Sequence, residues 1–382
     1  MSQLPAPDAA AAAHSKRARA AIADAIRAAG GWISFARYME LALYAPGLGY
    51  YAAGAAKLGP DGDFVTAPEI SPLFGRALAV HAAHGLQATR GGVLELGAGS
   101  GRLARDLLQG LDALGAPPDG YAILEVSPDL RARQQALLAV AGLADRVRWL
   151  ERLPERVCGL VLANEVFDAL PVHAVAWRAE GVFERGVALD GDAFTWAERP
   201  LMDPALAAAV SHLDPPRPYC SEVGLAGPAL MRSLAERLER GVVLVIDYGF
   251  PAREYYHPQR AQGTLMCHYR HHAHGDPFRD PALADITAHV DFSALAAAAA
   301  DAGLEVLGYA PQADFLIDCG ITALLAETPA GNPGRYLPRA AGVQKLLSPA
   351  EMGELFKVLA VGRGTARPLP GFRVIDRAAA LG

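Results

Sequence analysis

The stretch Val93-Leu94-Glu95-Leu96, followed by Gly97-Ala98-Gly99-Ser100-Gly101 and a helical run from Arg102 to Leu111, admits few folds. A short apolar strand that turns through three glycines into a helix puts backbone N–H groups and a helix N-terminus at the strand's carboxyl end. Without side chains there, a ligand can approach the main chain closely. In open α/β sheets ligands bind beyond the carboxyl ends of the strands, so this loop is the first candidate site. Its spacing, G-x-G-x-G, departs from the dinucleotide fingerprint G-x-G-x-x-G/A. The third small position is taken by Arg102, whose bulk is expected to obstruct close helix–strand packing.

The rest of the chain alternates around this unit. Upstream, Ala18 to Ala29 reads as a helix stopped by Gly30-Gly31. Ser34 caps a second helix, Phe35 to Leu43, and Ser71-Pro72 opens a third through about Leu86. A Gly- and Tyr-rich loop, Leu48 to Gly62, lies between the second and third. Downstream, strands at Tyr121–Val126, Val147–Leu150 and Leu160–Ala163 alternate with helices, which implies a parallel sheet covered on both faces. Val172 to Trp196 reads as two or three antiparallel strands turning at Glu180-Gly181 and Asp190-Gly191. A helix from Pro228 to Glu239 returns to a β-branched strand, Val242 to Asp247. The polar segment Gly249 to Ala288 is too long for a simple connector and is expected to be a functional loop or mobile lid. A helix (Phe292–Ala302), a strand (Leu304–Tyr309), a helical stretch and a last strand (Phe356–Val361) follow.

Charge and composition narrow the function. The 382 residues carry a formal net charge of −6 without a long basic stretch, so a nucleic-acid binder is not expected. The apolar run Ala294 to Ala300 is short and bounded by Asp291 and Asp301, and no membrane insertion is expected. Cys158, Cys220, Cys267 and Cys319 form no CxxC pair and fit a reducing compartment. The run Cys267-His268-Tyr269-Arg270-His271-His272-Ala273-His274 crowds its ligand types into one loop around Arg270, so a covering loop is expected rather than a metal site.

Two further places carry chemistry. Glu125 ends the second strand of the sheet, where a carboxylate can accept from both hydroxyls of a ribose. Asn164-Glu165-Val166-Phe167-Asp168-Ala169-Leu170-Pro171 leaves the fourth. Two carboxylates and an amide there suit the planar five-donor fork of a guanidinium.

With Glu95 before it, the glycine loop resembles the first motif of class I S-adenosylmethionine (SAM) methyltransferases. In order along the chain stand Gly62-Asp63-Phe64-Val65-Thr66-Ala67-Pro68-Glu69-Ile70-Ser71-Pro72-Leu73-Phe74-Gly75, Glu95 to Gly101, Asn164 to Pro171, Val245-Ile246-Asp247-Tyr248-Gly249 and His289-Val290-Asp291-Phe292. Together, from about Phe35 to Gly362, they resemble the MidA family of SAM-dependent methyltransferases. His289 departs from the acid or small polar residue more usual at its place. The resemblance implies a Rossmann-like α/β sheet with an N-terminal helical extension and inserted hairpin and helical segments. The expected division is 1–90 as extension and cofactor-covering loop, 91–365 as methyltransferase core with insertions near 172–220 and 249–290, and 366–382 as tail. It implies SAM held by Gly97, Gly99, Ser100, Gly101, Glu125, Val126, Thr66, Pro68 and Asn164, with Glu165, Asp168 and Asn164 at the chemistry and Glu69 in the pocket wall. It also implies an arginine substrate on a protein, a core subunit of respiratory complex I near the quinone site. The expected setting is bacterial cytoplasm, with the mitochondrial matrix as alternative. A catalytically inactive assembly factor and a nicotinamide oxidoreductase are the rival readings.

Overall fold

The computed structural model describes residues 5–53, 65–329 and 332–382. Most of the Leu48–Gly62 loop, and Gly62 to Phe64 of the Thr66 motif, lie outside the described residues. The described residues form two compact units.

The larger comprises Val65–Phe167, Leu230–Pro251 and Phe292–Gly382. Its helix α1 (Pro72–Thr89) precedes strand β1 (Gly92–Leu96). Then come α2 (Arg102–Ala113), β2 (Tyr121–Leu124), α3 (Pro128–Val140), β3 (Val147–Leu150), β4 (Val157–Asn164), β5 (Leu238–Phe250), β6 (Glu305–Pro311) and β7 (Phe356–Arg363). The strands lie in the order β6-β7-β5-β4-β1-β2-β3. From β5 to β3 every pairing is parallel, as expected. The last strand, whose direction the sequence does not give, inserts antiparallel between β5 and β6. An apolar run such as Phe356–Val361 carries no record of its direction, and antiparallel edges on parallel sheets are common. The chain order reverses between β1 and β4, the switch point where such sheets leave a crevice.

Capping follows the sequence. The Ser71 side chain accepts from Leu73 N, Pro72 fills the first turn, and Ser127 accepts from Leu130 N at the start of α3. Leu78, Leu103, Leu107, Leu244, Ile246 and Phe315 belong to one buried cluster. Each such side chain contributes about 1.5–3 kcal/mol by leaving water.

The smaller unit comprises the described residues of Met1–Phe64 with Asp168–Ala229 and Ala252–Asp291. Helix Ala9–Ala28 and helix Phe35–Tyr44, the latter capped by Ser34 accepting from Arg37 N, flank a short strand Trp32–Ser34. That strand pairs with Gly181–Asp190, which also pairs antiparallel with His173–Arg178 and Ala193–Pro200. These are the antiparallel strands read from the sequence. The segment 249–288 is not a structureless loop, however. It holds a helical turn at Ala252–Tyr255 and strands Met266–Tyr269, His272–His274 and Asp285–Thr287, paired antiparallel. Their apolar members, Cys267 and Ile286, enter the core beside Tyr38 and Phe35. Strands of three or four residues leave too little period-two pattern to be read against polar neighbours.

Helices α1 and α2 approach most closely at two glycines. A Cβ on Gly75 would lie 2.7 Å from Asp106 Cβ, and one on Gly110 would lie 2.7 Å from Ala79 Cβ. Alanine normally gains about 1 kcal/mol over glycine inside a helix. Here overpacking, typically 1–3 kcal/mol, opposes that gain. Gly75→Ala is therefore expected to lower the urea midpoint, whereas a raised midpoint would show that the interface yields.

Candidate active site

The glycine loop turns through left-handed backbone at Gly97 (φ 58°), Gly99 (φ 54°) and Gly101 (φ 86°). A Cβ on Gly97 would press within 3.3 Å of Val166, and one on Gly101 within 3.2 Å of Gln134. Arg102 opens α2 with its guanidinium on Glu69, at 3.0 Å. Its side chain is thus paired at the start of the helix.

Gln134, on α3 and fully buried, is the residue that sequence reasoning missed. Its amide nitrogen donates to Gly99 O (3.0 Å) and to Glu125 Oε2 (2.9 Å), and its oxygen accepts from Trp149 Nε1 (2.9 Å). One side chain therefore ties the loop after β1 to the acid after β2. The only signal in the sequence was a polar residue on the apolar stripe of an amphipathic helix.

Glu125 is buried. Its Oε1 accepts from Ser127 N at 2.9 Å. These bonds orient the carboxylate, which has about four acceptor positions in all. The next residue, Val126, is 70% exposed, an apolar surface beside the acid.

Thr66 and Pro68 lie on a short strap. Thr66 precedes the helical turn Ala67–Ile70, in which Pro68 is buried. The strap is held within its unit at two points: Ala67 N donates to Glu165 Oε1 (3.2 Å), and Glu69 accepts from the Ser100 hydroxyl and forms an ion pair with Arg102.

At the end of β4 the backbone is strained. Glu165 has φ 54°, which costs a non-glycine residue on the order of 1–2 kcal/mol. Its carboxylate also accepts from Asn164 Nδ2 at 3.1 Å. That bond fixes the amide's orientation, because a flipped amide would set oxygen against oxygen. Asn164 Oδ1 is left buried without a hydrogen-bond partner among the described residues. A buried acceptor in that state marks a place for a donor from a ligand.

Asp168 lies in the smaller unit, where it is buried and its backbone carbonyl accepts from Ala288 N at 3.0 Å. Within that unit Tyr51 donates to Asp285, 3.0 Å from each oxygen. Burial, then the charge of Asp285, with smaller contributions from Tyr44, Tyr50 and Asp168, holds the Tyr51 hydroxyl well above its usual range. In the sequence Asp285 stands in the polar segment 249–288, with nothing to set it apart. The His-rich run forms a hairpin, with Arg270 and His271 at positive φ in its turn. Among the described residues no group of three or more His, Cys, Asp or Glu could hold a metal ion. A depression of about 590 Å³, lined by Gly92, Asp119, Tyr121, Val147 and Cys158, opens at the opposite, amino ends of the strands.

Glu95 shows what the site costs the fold. It is buried on β1 and accepts from the Tyr121 hydroxyl at 2.6 Å. Burial pushes its pKa from an ordinary 4.5 up to about 7, against the lowering by Tyr121 and with the help of the Glu125 charge. Between those values the native state binds more protons than the unfolded chain, so this group's contribution to stability falls as pH rises from 4.5 through 7. Glu95→Gln mimics the protonated acid. It should raise the melting temperature over wild type at pH 8, with the gain shrinking toward pH 4.5. A gain independent of pH would remove Glu95 as its source.

These elements could serve a ligand with a diol for the Glu125 carboxylate, a part that approaches the main chain at the three loop glycines, and an N–H group for Asn164 Oδ1. Residues 76–310 match a family described as "Putative S-adenosyl-L-methionine-dependent methyltransferase". The chain is 30% identical to the Danio rerio protein named Protein arginine methyltransferase NDUFAF7, mitochondrial, over 91% of this chain and 90% of that relative. The Mus musculus protein of the same name is 31% identical, over 87% of this chain and 81% of the relative. A Burkholderia thailandensis crystal structure bound to S-adenosyl-homocysteine (SAH) matches with a TM-score of 0.96 at 51% identity, covering 99% of this chain and 100% of that one. These findings set aside the nicotinamide reading: the chain belongs to the family of SAM-dependent methyltransferases that its motifs resemble, and S-adenosyl-L-methionine is its cofactor.

Proposed function

We propose that this methyltransferase modifies an arginine of a protein substrate. The observation that carries the reading is the carboxylate of Glu165, held beyond the end of β4 by a strained backbone. Strain of this kind persists where surrounding structure enforces it, commonly at sites of chemistry. The relatives' names supply the arginine. Respiratory complex I, at a core subunit near the quinone site, is the target implied by the MidA resemblance. Greater identity to a bacterial protein than to the mitochondrial ones supports a bacterial cytoplasmic setting.

In this reading Glu125 takes the ribose hydroxyls and Val126 lies under the adenine. Gly97, Gly99 and Gly101 let the methionine moiety approach the main chain, with Thr66 and Pro68 closing over it. Asn164 Oδ1 accepts from its ammonium group. Ser100 contributes its N–H, because its hydroxyl is given to Glu69. The cofactor supplies an electrophilic methyl group and its leaving group, so the protein's task is alignment and charge. A protonated guanidinium is a poor nucleophile. Glu165 and Asp168 localise its charge, orient it and accept the released proton. In the same reading, residues 1–90 are an extension with a cofactor-covering loop, 91–365 a methyltransferase core with insertions near 172–220 and 249–290, and 366–382 a tail.

Glu165→Gln keeps shape and removes charge. It is expected to leave SAH affinity by calorimetry nearly intact while cutting radiolabelled methyl transfer into a lysate of the source cell by a hundredfold or more, on the order of 3 kcal/mol. Asp168→Asn should act in the same direction. Sequencing of the labelled protein tests the residue and the target. A label on lysine or a carboxylate would overturn the arginine reading. Equal losses of binding and transfer would move both acids to the cofactor, and unimpaired transfer would remove them from the site.

A further inference from the structure

Asp247 is fully buried on β5. Beside it β4 runs parallel, with Val245 opposite Ala163 and Ile246 opposite Asn164. The ladder makes one more bond, Glu165 N to Ile246 O at 2.8 Å, and then the chain turns away. At that point the Asp247 side chain replaces the missing backbone partner. Its Oδ2 accepts from Val166 N (3.2 Å) and from Phe167 N (2.9 Å), while Oδ1 accepts from Tyr248 N (3.0 Å).

Two consecutive N–H groups reach one oxygen because the residue before them, Glu165, is left-handed. That same conformation delivers the Glu165 carboxylate to Ala67 N and Asn164 Nδ2, and so leaves Asn164 Oδ1 as the acceptor without a partner. Right-handed backbone at Glu165 would swing its carboxylate away and free the Asn164 amide to rotate. We propose that Asp247 is a positioning residue for methyl transfer. It touches neither cofactor nor acceptor and acts by holding Glu165 left-handed, which aims both Glu165 and Asn164. The inference rests on the assignment of Asn164 to the cofactor's ammonium group.

The test uses the full chain, with SAH as the calorimetric probe well below the melting temperature and labelled methyl transfer beside it. Asp247→Ala should weaken SAH binding tenfold or more and reduce transfer further. Asp247→Asn retains an oxygen that can take the Val166 and Phe167 N–H groups, and it should bind SAH within threefold of wild type. Should the alanine cavity prevent folding, Asp247→Val fills most of it with an apolar side chain lacking acceptors and carries the same expectation as alanine. A lowered melting temperature with unchanged SAH affinity in the alanine or valine variant would reduce Asp247 to a structural role and overturn the proposal. So would an asparagine variant as impaired as alanine, since charge rather than geometry would then be at work. Asn164→Ala separates the two readings. If it binds SAH as wild type does, the assignment of Asn164 falls. If it weakens binding while Asp247→Ala does not, the positioning role falls.

Discussion

Three parallel strands of the sheet end in backbone groups that side chains satisfy in place of neighbouring strands, and those side chains stand around the candidate site. Buried main-chain donors must find partners. After β2 the partner of Ser127 N is Glu125, and after β4 the partner of Val166 N and Phe167 N is Asp247. After β1, Gly99 O finds the Gln134 amide. The same bonds that close the ladders therefore set the direction of the groups facing the crevice. Fold and site share atoms here, so a change that damages one registers in the other.

The choice of carboxylates for this work has an electrostatic consequence. Glu95, Glu125, Glu165 and Asp247 accept from a hydroxyl, from backbone N–H groups and from side-chain amides. Neutral donors stabilise a carboxylate without cancelling its charge, unlike an arginine or lysine partner. Where such carboxylates keep their charge, they would favour a cofactor that carries a sulfonium. The elevated pKa of Glu95, about 7, is the cost of that crowding, since burial and the nearby Glu125 charge both oppose its ionisation. The cofactor's own positive charge would relieve it.

What the sequence shows directly is local. Ser34 and Ser71 cap helices because a hydroxyl beside an apolar run has one geometric use. The strand–glycine–helix unit is equally plain. Gln134 is not, since its three partners lie 9 to 35 residues away along the chain and on three different elements. Nor is Asp247, which reads as the acid ending a β-branched strand until the parallel register with β4 shows what stands opposite. The antiparallel β7 is hidden because strand direction leaves no trace in hydrophobicity. The joining of the N-terminal helices with Asp168–Ala229 and Ala252–Asp291 is hidden because it depends on contacts between distant segments.

The strap at Thr66–Glu69 shows how such distant contacts can shape a binding loop. Glu69 occupies both the Ser100 hydroxyl and the Arg102 guanidinium, the two side chains nearest the turn into α2 that could have met an anion. With those side chains paired to Glu69, what the loop offers is its main chain, apart from Gly97 N and Gly101 N, which bond Leu124 O and Ala98 O, and the positive end of the α2 dipole. Backbone donors cannot change rotamer, and the dipole falls off within a turn. A ligand carboxylate recognised this way is held by shape more than by charge. That suits a site which must release a product differing from its cofactor by one methyl group and one unit of charge: a grip that depended on a mobile arginine would hold both about equally, whereas the negative ends of the strands favour the sulfonium over the neutral thioether.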